Sequence, residues 1–194
     1  MRRVVFLDKD GTLVEDAPHN TDPAQIRLMA EARRGLMRLV REGYSIVIVT
    51  NQSSIVSGQF PESAMDAIRA RLVELFAPMG AELAGFYYCP HHPQGSVIEF
   101  AVECECRKPG AGLILRAAEE LGIDPAETWM VGATLDDVEA GNRAGCRTIL
   151  LDNGNETEWH MDGRRWPSVV VADLDEAAHV IVGTKESART GSTP

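Results

Sequence analysis

The chain has 194 residues, 44% of them hydrophobic and 25% charged, with a formal net charge of −10 at pH 7. Length and composition fit an ordinary soluble globular protein of one domain with a sizeable core. The negative balance argues against a general nucleic-acid or acidic-membrane surface, which needs a cationic face, and leaves room for a small basic pocket. The amino terminus reads MRRVVFLDKDG, and its apolar run Val4–Leu7 is too short for a signal-peptide core. No stretch approaches the ~20 apolar residues of a membrane span. A cytoplasmic protein is expected, and there clustered cysteines point to metal before disulfides.

In chain order, apolar β-branched runs occur at Val4–Leu7, Ile46–Thr50, Phe86–Tyr88, Trp129–Val131, Thr148–Leu151 and Val169–Val171. They are nearly continuous rather than alternating, as in strands buried on both faces. Helical spacing links Leu36, Leu39 and Val40, then Met65, Ile68, Leu72, Leu75 and Phe76, then Leu113, Ile114, Ala117 and Leu121, with Gly122 as the stop. A further short helix is expected from near Thr134 to Gly145, and another from Asp173, where Asp173 and Glu176 have capping-box spacing. The βαβα order predicts an α/β fold with a Rossmann-like, doubly wound parallel sheet. One domain is expected over residues 1–183. The tail 184–194, TKESARTGSTP, offers no apolar face and is expected to be disordered. The loop 89–108 is long for such a fold, so it is expected to be functional or tied down.

The string VVFLDKDGTLV puts Asp8 at the carboxyl end of the first strand, where open α/β sheets bind ligands. Asp10 follows two residues on, so in extended geometry both carboxylates share a face, and Gly11 permits a sharp turn. Like charges this close repel each other, and a divalent cation relieves that. One carboxylate can then attack phosphorus while the other carries protons. DKDGT resembles the first motif of the haloacid dehalogenase superfamily in its phosphatase form. The resemblance implies Asp8 as nucleophile and Asp10 as general acid/base. It also implies a phosphate-binding hydroxyl at Thr50, in IVIVTNQS, and a lysine at Lys108, in RKPG, that holds nucleophile and phosphate together.

Cys89-x-His91 and, after twelve residues, Cys104-x-Cys106 supply three thiolates and one imidazole, enough for a tetrahedral structural zinc. The loop is too short for its own apolar core, so a metal would order it beside Lys108. His92 is the rival imidazole. Cys146 lies far along the chain and reads as a small core residue. FYYCPHHPQGSVIEF, CECRKPG and TNQSSIVSGQF closely resemble the D-glycero-D-manno-heptose-1,7-bisphosphate 7-phosphatase family, from about residue 3 to residue 151. The family's C-x-H favours His91. The resemblance implies a compact Mg²⁺-dependent phosphatase with no large cap domain and a Zn²⁺ loop, acting on a small-molecule sugar phosphate. It also implies Asn51, Gln52 and Arg107 as substrate contacts. EDAPHN, after the first motif, is a further possible contact with substrate. A monomer with no nucleic-acid or membrane partner is expected. The nearest enzymatic alternative is the histidinol-phosphate phosphatase half of bifunctional histidine-biosynthesis enzymes, which shares the zinc loop.

The resemblance fails at the fourth motif, V-G-D-K-x-x-D, because this chain reads MVGATLDD. Ala133 stands where a metal-binding aspartate is expected, and a methyl group cannot coordinate Mg²⁺. That leaves Mg²⁺ on the Asp8 carboxylate and the Asp10 carbonyl, with Asp137, Asp136 or water filling the gap. The alternative is a catalytically impaired sugar-phosphate-binding protein. Asp136 and Asp137 also suit the first turn of a helix.

Overall fold

The computed structural model describes residues 3–15 and 22–190. Its strands are β1 (Arg3–Leu7), β2 (Tyr44–Asn51), β3 (Leu83–Cys89), β4 (Trp129–Gly132), β5 (Arg147–Leu151) and β6 (Val169–Val171). Its α-helices are α1 (Ala30–Arg41), α2 (Ser53–Val56), α3 (Met65–Phe76), α4 (Gly112–Leu121), α5 (Leu135–Ala144) and α6 (Leu174–Thr190). The strands form one six-stranded sheet in the order β3-β2-β1-β4-β5-β6. Every neighbouring pair is parallel. The expected doubly wound sheet is therefore present, and each expected strand lies within an observed one.

The unbroken apolar runs have a direct physical reason. Successive side chains of a strand point to opposite faces. Val5, Leu7, Ile46 and Ile48 join a core with residues of α1, α3 and α6. Val4, Phe6, Val47 and Val49 join a second core with residues of α4 and α5. Burying a large apolar side chain contributes about 1.5–3 kcal/mol. The four consecutive buried residues Val4 to Leu7 thus anchor β1 at the sheet centre. Cys146 sits in the second core, as expected.

The helix ends follow the sequence signals. Gly122 and Gly145 close α4 and α5 in the left-handed conformation, with φ of 63° and 90°. At α6, Asp173 accepts from the Glu176 amide at 3.0 Å, while Glu176 accepts from the Ala172 amide rather than that of Asp173. The helix then continues to Thr190, past the point at which disorder is expected from Thr184 onward. Residues 191–194 lie outside the described residues. Among the described residues, no helix is long and apolar enough to cross a membrane.

Candidate active site and metal-binding loop

Strand order reverses between β1 and β4, so a crevice opens at their carboxyl ends. Asp8 follows β1 directly, and its amide donates to Val131 of β4 at 3.0 Å. The chain then turns sharply. The Lys9 carbonyl accepts from the amides of Leu13 and Val14 at 2.9 and 3.1 Å, and Gly11 adopts φ 73°. Its φ favours glycine, and a Cβ there would lie 2.7 Å from the end of the Asn155 side chain, which would have to shift.

Lys108 lies at the centre of the crevice, 4% exposed. Its Nζ donates to Asp8 Oδ1 at 2.6 Å, to Asp137 Oδ1 at 2.5 Å and to the Val49 carbonyl at 3.1 Å. Asp8 and Asp137 are 7% and 1% exposed. Burial pushes the Asp8 carboxyl up to about 7; Lys108 opposes this, and the charges of Asp137 and Asp10 add to it. Burial alone would lower Lys108, but the Asp137 and Asp8 carboxylates overcome it and hold the ammonium above its ordinary value. A buried lysine ordinarily tends to neutralise, so this pairing is what keeps a positive charge next to Asp8.

Asp137 reaches Lys108 because of its neighbours. Its Oδ2 accepts from the backbone amide of Thr134 at 3.1 Å and from the Thr134 hydroxyl at 2.9 Å, fixing the first turn of α5. A Cβ on Gly132 would fall 2.3 Å from Asp137, so that glycine makes room for the carboxylate. Both Asp137 oxygens are therefore engaged, Oδ1 by Lys108 and Oδ2 by Thr134. Asp136 instead pairs with Arg165 at 2.5 Å.

The structure places the other expected residues around this centre. Thr50 ends the buried part of β2, and its Oγ1 accepts from Gln52 Nε2 at 3.0 Å. The same Gln52 nitrogen donates to Asp10 Oδ2 at 3.2 Å. The Asn51 amide brackets the backbone of Lys108, donating to its carbonyl and accepting from its amide at 3.0 Å each. Arg107 spans the His91 carbonyl and the Ser53 hydroxyl at 3.1 Å each, tying the loop to α2. So Asn51, Gln52 and Arg107, expected as substrate contacts, make contacts that position Lys108, Asp10 and the loop. In EDAPHN, the stretch beyond Glu15, including His19, lies outside the described residues.

Other residues here escaped sequence reasoning. Asn153 and Asn155 donate to the Gly11 carbonyl at 2.8 and 3.3 Å. Glu156 accepts from the Leu135 amide at 2.6 Å and so caps α5. The available signal was a polar, asparagine-rich run directly after a buried strand, at the sheet edge where ligands bind. Lys9 was passed over as a residue between two aspartates, yet its side chain is fully buried against Asp10.

The carboxylate set for Mg²⁺ is one short. Ala133 is fully buried within the apolar core, and its methyl group offers no oxygen. Asp8 and Asp10 fit a cation nonetheless, because the Asp8 carboxyl is raised partly by like charges that a cation would neutralise. Mg²⁺ commonly keeps several waters and needs only one or two carboxylates.

Among the described residues, one group of three or more His, Cys, Asp or Glu side chains converges closely enough to hold an ion: Cys89, His91, Cys104 and Cys106, with ligand atoms within 4.8 Å of one another. The sulfur separations are 3.5, 3.1 and 3.2 Å, and His91 Nδ1 lies 3.4 Å from Cys106 Sγ. The cysteines are free, not disulfide-bonded. Burial drives the Cys89 thiol upward; a bound cation would favour the thiolate there instead. Three thiols and an imidazole are a zinc-type donor set. His92 is outside the group; its Nδ1 accepts from the Gln94 amide at 3.2 Å.

Comparison with known proteins agrees with this geometry. The family model described as Polynucleotide kinase 3 phosphatase matches residues 3–140, and one described as HAD-hydrolase-like matches residues 105–177. The D-glycero-beta-D-manno-heptose-1,7-bisphosphate 7-phosphatase of Pasteurella multocida is 36% identical over 187 residues, covering 95% of this chain and 100% of that protein. The Escherichia coli K12 protein of the same name is 36% identical over 175 residues, covering 89% and 92%. The crystal structure of D,D-heptose 1,7-bisphosphate phosphatase from B. bronchiseptica, complexed with magnesium and phosphate, superposes with a TM-score of 0.80. It is 27% identical and covers 94% of this chain and 99% of that one. The chain belongs to the D-glycero-D-manno-heptose-1,7-bisphosphate 7-phosphatase family of haloacid dehalogenase-like phosphatases.

Proposed function

We propose that the chain is a Mg²⁺-dependent phosphomonoesterase that removes the 7-phosphate of D-glycero-D-manno-heptose 1,7-bisphosphate through an aspartyl-phosphate. The observation that carries the reading is the buried Asp8–Lys108–Asp137 arrangement at the switch point, with Asp10 beside it. The names of the full-length relatives support the substrate.

The residues divide the work as follows. Lys108 engages Asp8 Oδ1, which leaves Oδ2 to attack phosphorus in line. The phosphorus–oxygen bond to the sugar breaks as the new bond forms, and Asp10 gives its proton to the departing sugar oxygen. Lys108 and the Thr50 hydroxyl hold the phosphoryl oxygens, where preorganised donors stabilise developing charge without reorganising. Asp10, now ionised, takes a proton from water, and that water attacks the aspartyl-phosphate, releasing phosphate and restoring Asp8. Asp137 keeps Lys108 charged and in place. Mg²⁺, held by the Asp8 carboxylate and the Asp10 carbonyl with water completing the set, would screen Asp8 from the phosphoryl charge. Cys89, His91, Cys104 and Cys106 would hold a structural Zn²⁺ that orders the loop ahead of Lys108. The net charge of −10 suits a monomeric cytoplasmic enzyme without a nucleic-acid partner.

Ala133 favours a second reading, a sugar-phosphate-binding protein with impaired turnover. Phosphorus NMR of the zinc-loaded protein with the α and β anomers of the heptose bisphosphate, and with histidinol phosphate, separates these possibilities. Loss of the 7-phosphate resonance with the 1-phosphate retained is expected. Preferential hydrolysis of histidinol phosphate would move the chain to the other branch, and perturbed resonances without hydrolysis would favour the binding protein.

A further inference from the structure

Lys9 lies between the two aspartates of the β1 turn, yet its side chain is 0% exposed. A lysine at a strand end can ordinarily extend its flexible stem and leave the ammonium in water. Desolvating an ammonium is costly unless a partner compensates. The partner on the page is Asp10, whose Oδ1 lies 2.6 Å from Lys9 Nζ. The backbone of Lys9 is fixed too, since its carbonyl accepts from the amides of Leu13 and Val14 at 2.9 and 3.1 Å. The side chain is thus anchored at its root and folds back onto the neighbouring carboxylate. Asp10 keeps 26% of its side chain exposed, so it is open to the crevice while Lys9 is not.

Two contacts distinguish the oxygens of Asp10: Oδ1 takes a short ionic contact from Lys9, and Oδ2 accepts from the Gln52 side-chain amide at 3.2 Å. Charge-assisted hydrogen bonds are roughly twice as strong as neutral ones. An acid that must give a proton to one atom and later accept one from water needs one defined oxygen for the task. An ammonium on Oδ1 places positive charge against that oxygen and leaves Oδ2 the better placed of the two to carry a proton. Oδ2 can carry the proton and still accept from Gln52 through its other lone pair.

We propose that Lys9 is a positioning residue for Asp10: its buried ammonium pins Oδ1, so that Oδ2 faces the leaving oxygen and then the water. The proposal rests on the reading of Asp10 as the proton carrier. Lys9 itself touches neither substrate nor reacting atoms.

The test compares wild type, Lys9→Met and Lys9→Arg as full-length, zinc-loaded protein at saturating Mg²⁺, with heptose 1,7-bisphosphate as substrate. Methionine is close in length and apolar, and replacing a buried charge by an apolar side chain is often tolerated. For Lys9→Met, kcat is expected to fall by about 10²-fold with KM and the half-saturating Mg²⁺ concentration within about threefold of wild type, while Lys9→Arg regains most of kcat. A merely structural role would instead move KM, Mg²⁺ dependence and melting temperature together and would not be rescued by arginine; that outcome overturns the proposal, as does an unchanged kcat in Lys9→Met. A crystal structure of Lys9→Met gives a readout independent of turnover. Displacement of the Asp10 carboxylate is expected, and an unmoved Asp10 overturns the proposal. Absence of turnover in wild type would instead count against the functional reading, which keeps the two failures distinct.

Discussion

The loop between β3 and α4 contains no helix or strand from Pro90 to Ala111, whereas the crevice at the ends of β1 and β4 is framed by backbone that the sheet has already fixed. The two regions therefore depend on different things. In the loop, the four side chains of Cys89, His91, Cys104 and Cys106 converge. The crevice takes its order from the sheet and from buried charges, and can lack a ligand at Ala133 without losing its shape. A side-chain set that builds its own scaffold must be complete, while a set mounted on a scaffold can tolerate a gap. Lys108 joins the two, because its ammonium belongs to the crevice while its backbone closes the loop onto Asn51.

The comparison is broken most severely by removing the nucleophile. Asp8→Asn is expected to cut phosphate release by on the order of 10⁴-fold or more while the fold survives, as circular dichroism and a thermal melt would confirm. The opposite pattern is expected at the loop. Stripping the metal with a chelator, or Cys104→Ser, should lower stability by several kcal/mol and open the loop to protease, with activity lost only as a consequence. A loop that stays protease-resistant in metal-free protein would break the distinction between the two regions. Asp137→Asn probes the buried charges. Breaking one side of a buried ion pair typically costs about 3–5 kcal/mol, so denaturant unfolding should show a loss at the lower end of that range, with kcat reduced as Lys108 shifts. The remaining Asp8 contact limits the damage. Ala133→Asp should sharpen the contrast from the other side, lowering the half-saturating Mg²⁺ concentration by about tenfold or more without changing the zinc content. The smallest effect is expected for Asn155→Ala, which removes a 3.3 Å contact to the Gly11 carbonyl that Asn153 also makes; about 0.5–1 kcal/mol in a denaturant melt is anticipated.

Much of this was legible in the residues. The strands announced themselves because burial on both faces removes polar alternation, as at Val4–Leu7 and Ile46–Val49. The Cys/His cluster was readable because its members fall in two tight pairs on one loop. The choice of His91 over His92 needed either the family pattern or the geometry. The short helix α2 was missed, since Ser53–Val56 is too brief to show a period. The hydrogen bonds of Asn51, Gln52 and Arg107 run between segments far apart in sequence, such as Asn51 to Lys108, and no local pattern encodes those. The burial of Lys9 and the reach of Asn153 and Asn155 to Gly11 were hidden for the same reason.

The most direct test of the central claim, that a complete Asp8–Lys108–Asp137 core still works over an understaffed metal site, is a Mg²⁺ titration of phosphate release from heptose 1,7-bisphosphate. Wild type, Ala133→Asp and Asp8→Asn would be compared as zinc-loaded proteins. The expected result is turnover in wild type that saturates only at high Mg²⁺, a similar plateau reached at lower Mg²⁺ in Ala133→Asp, and none in Asp8→Asn. Wild type that releases no phosphate at any Mg²⁺ concentration, while Ala133→Asp does, would contradict it and identify residue 133 as the point at which catalysis was lost.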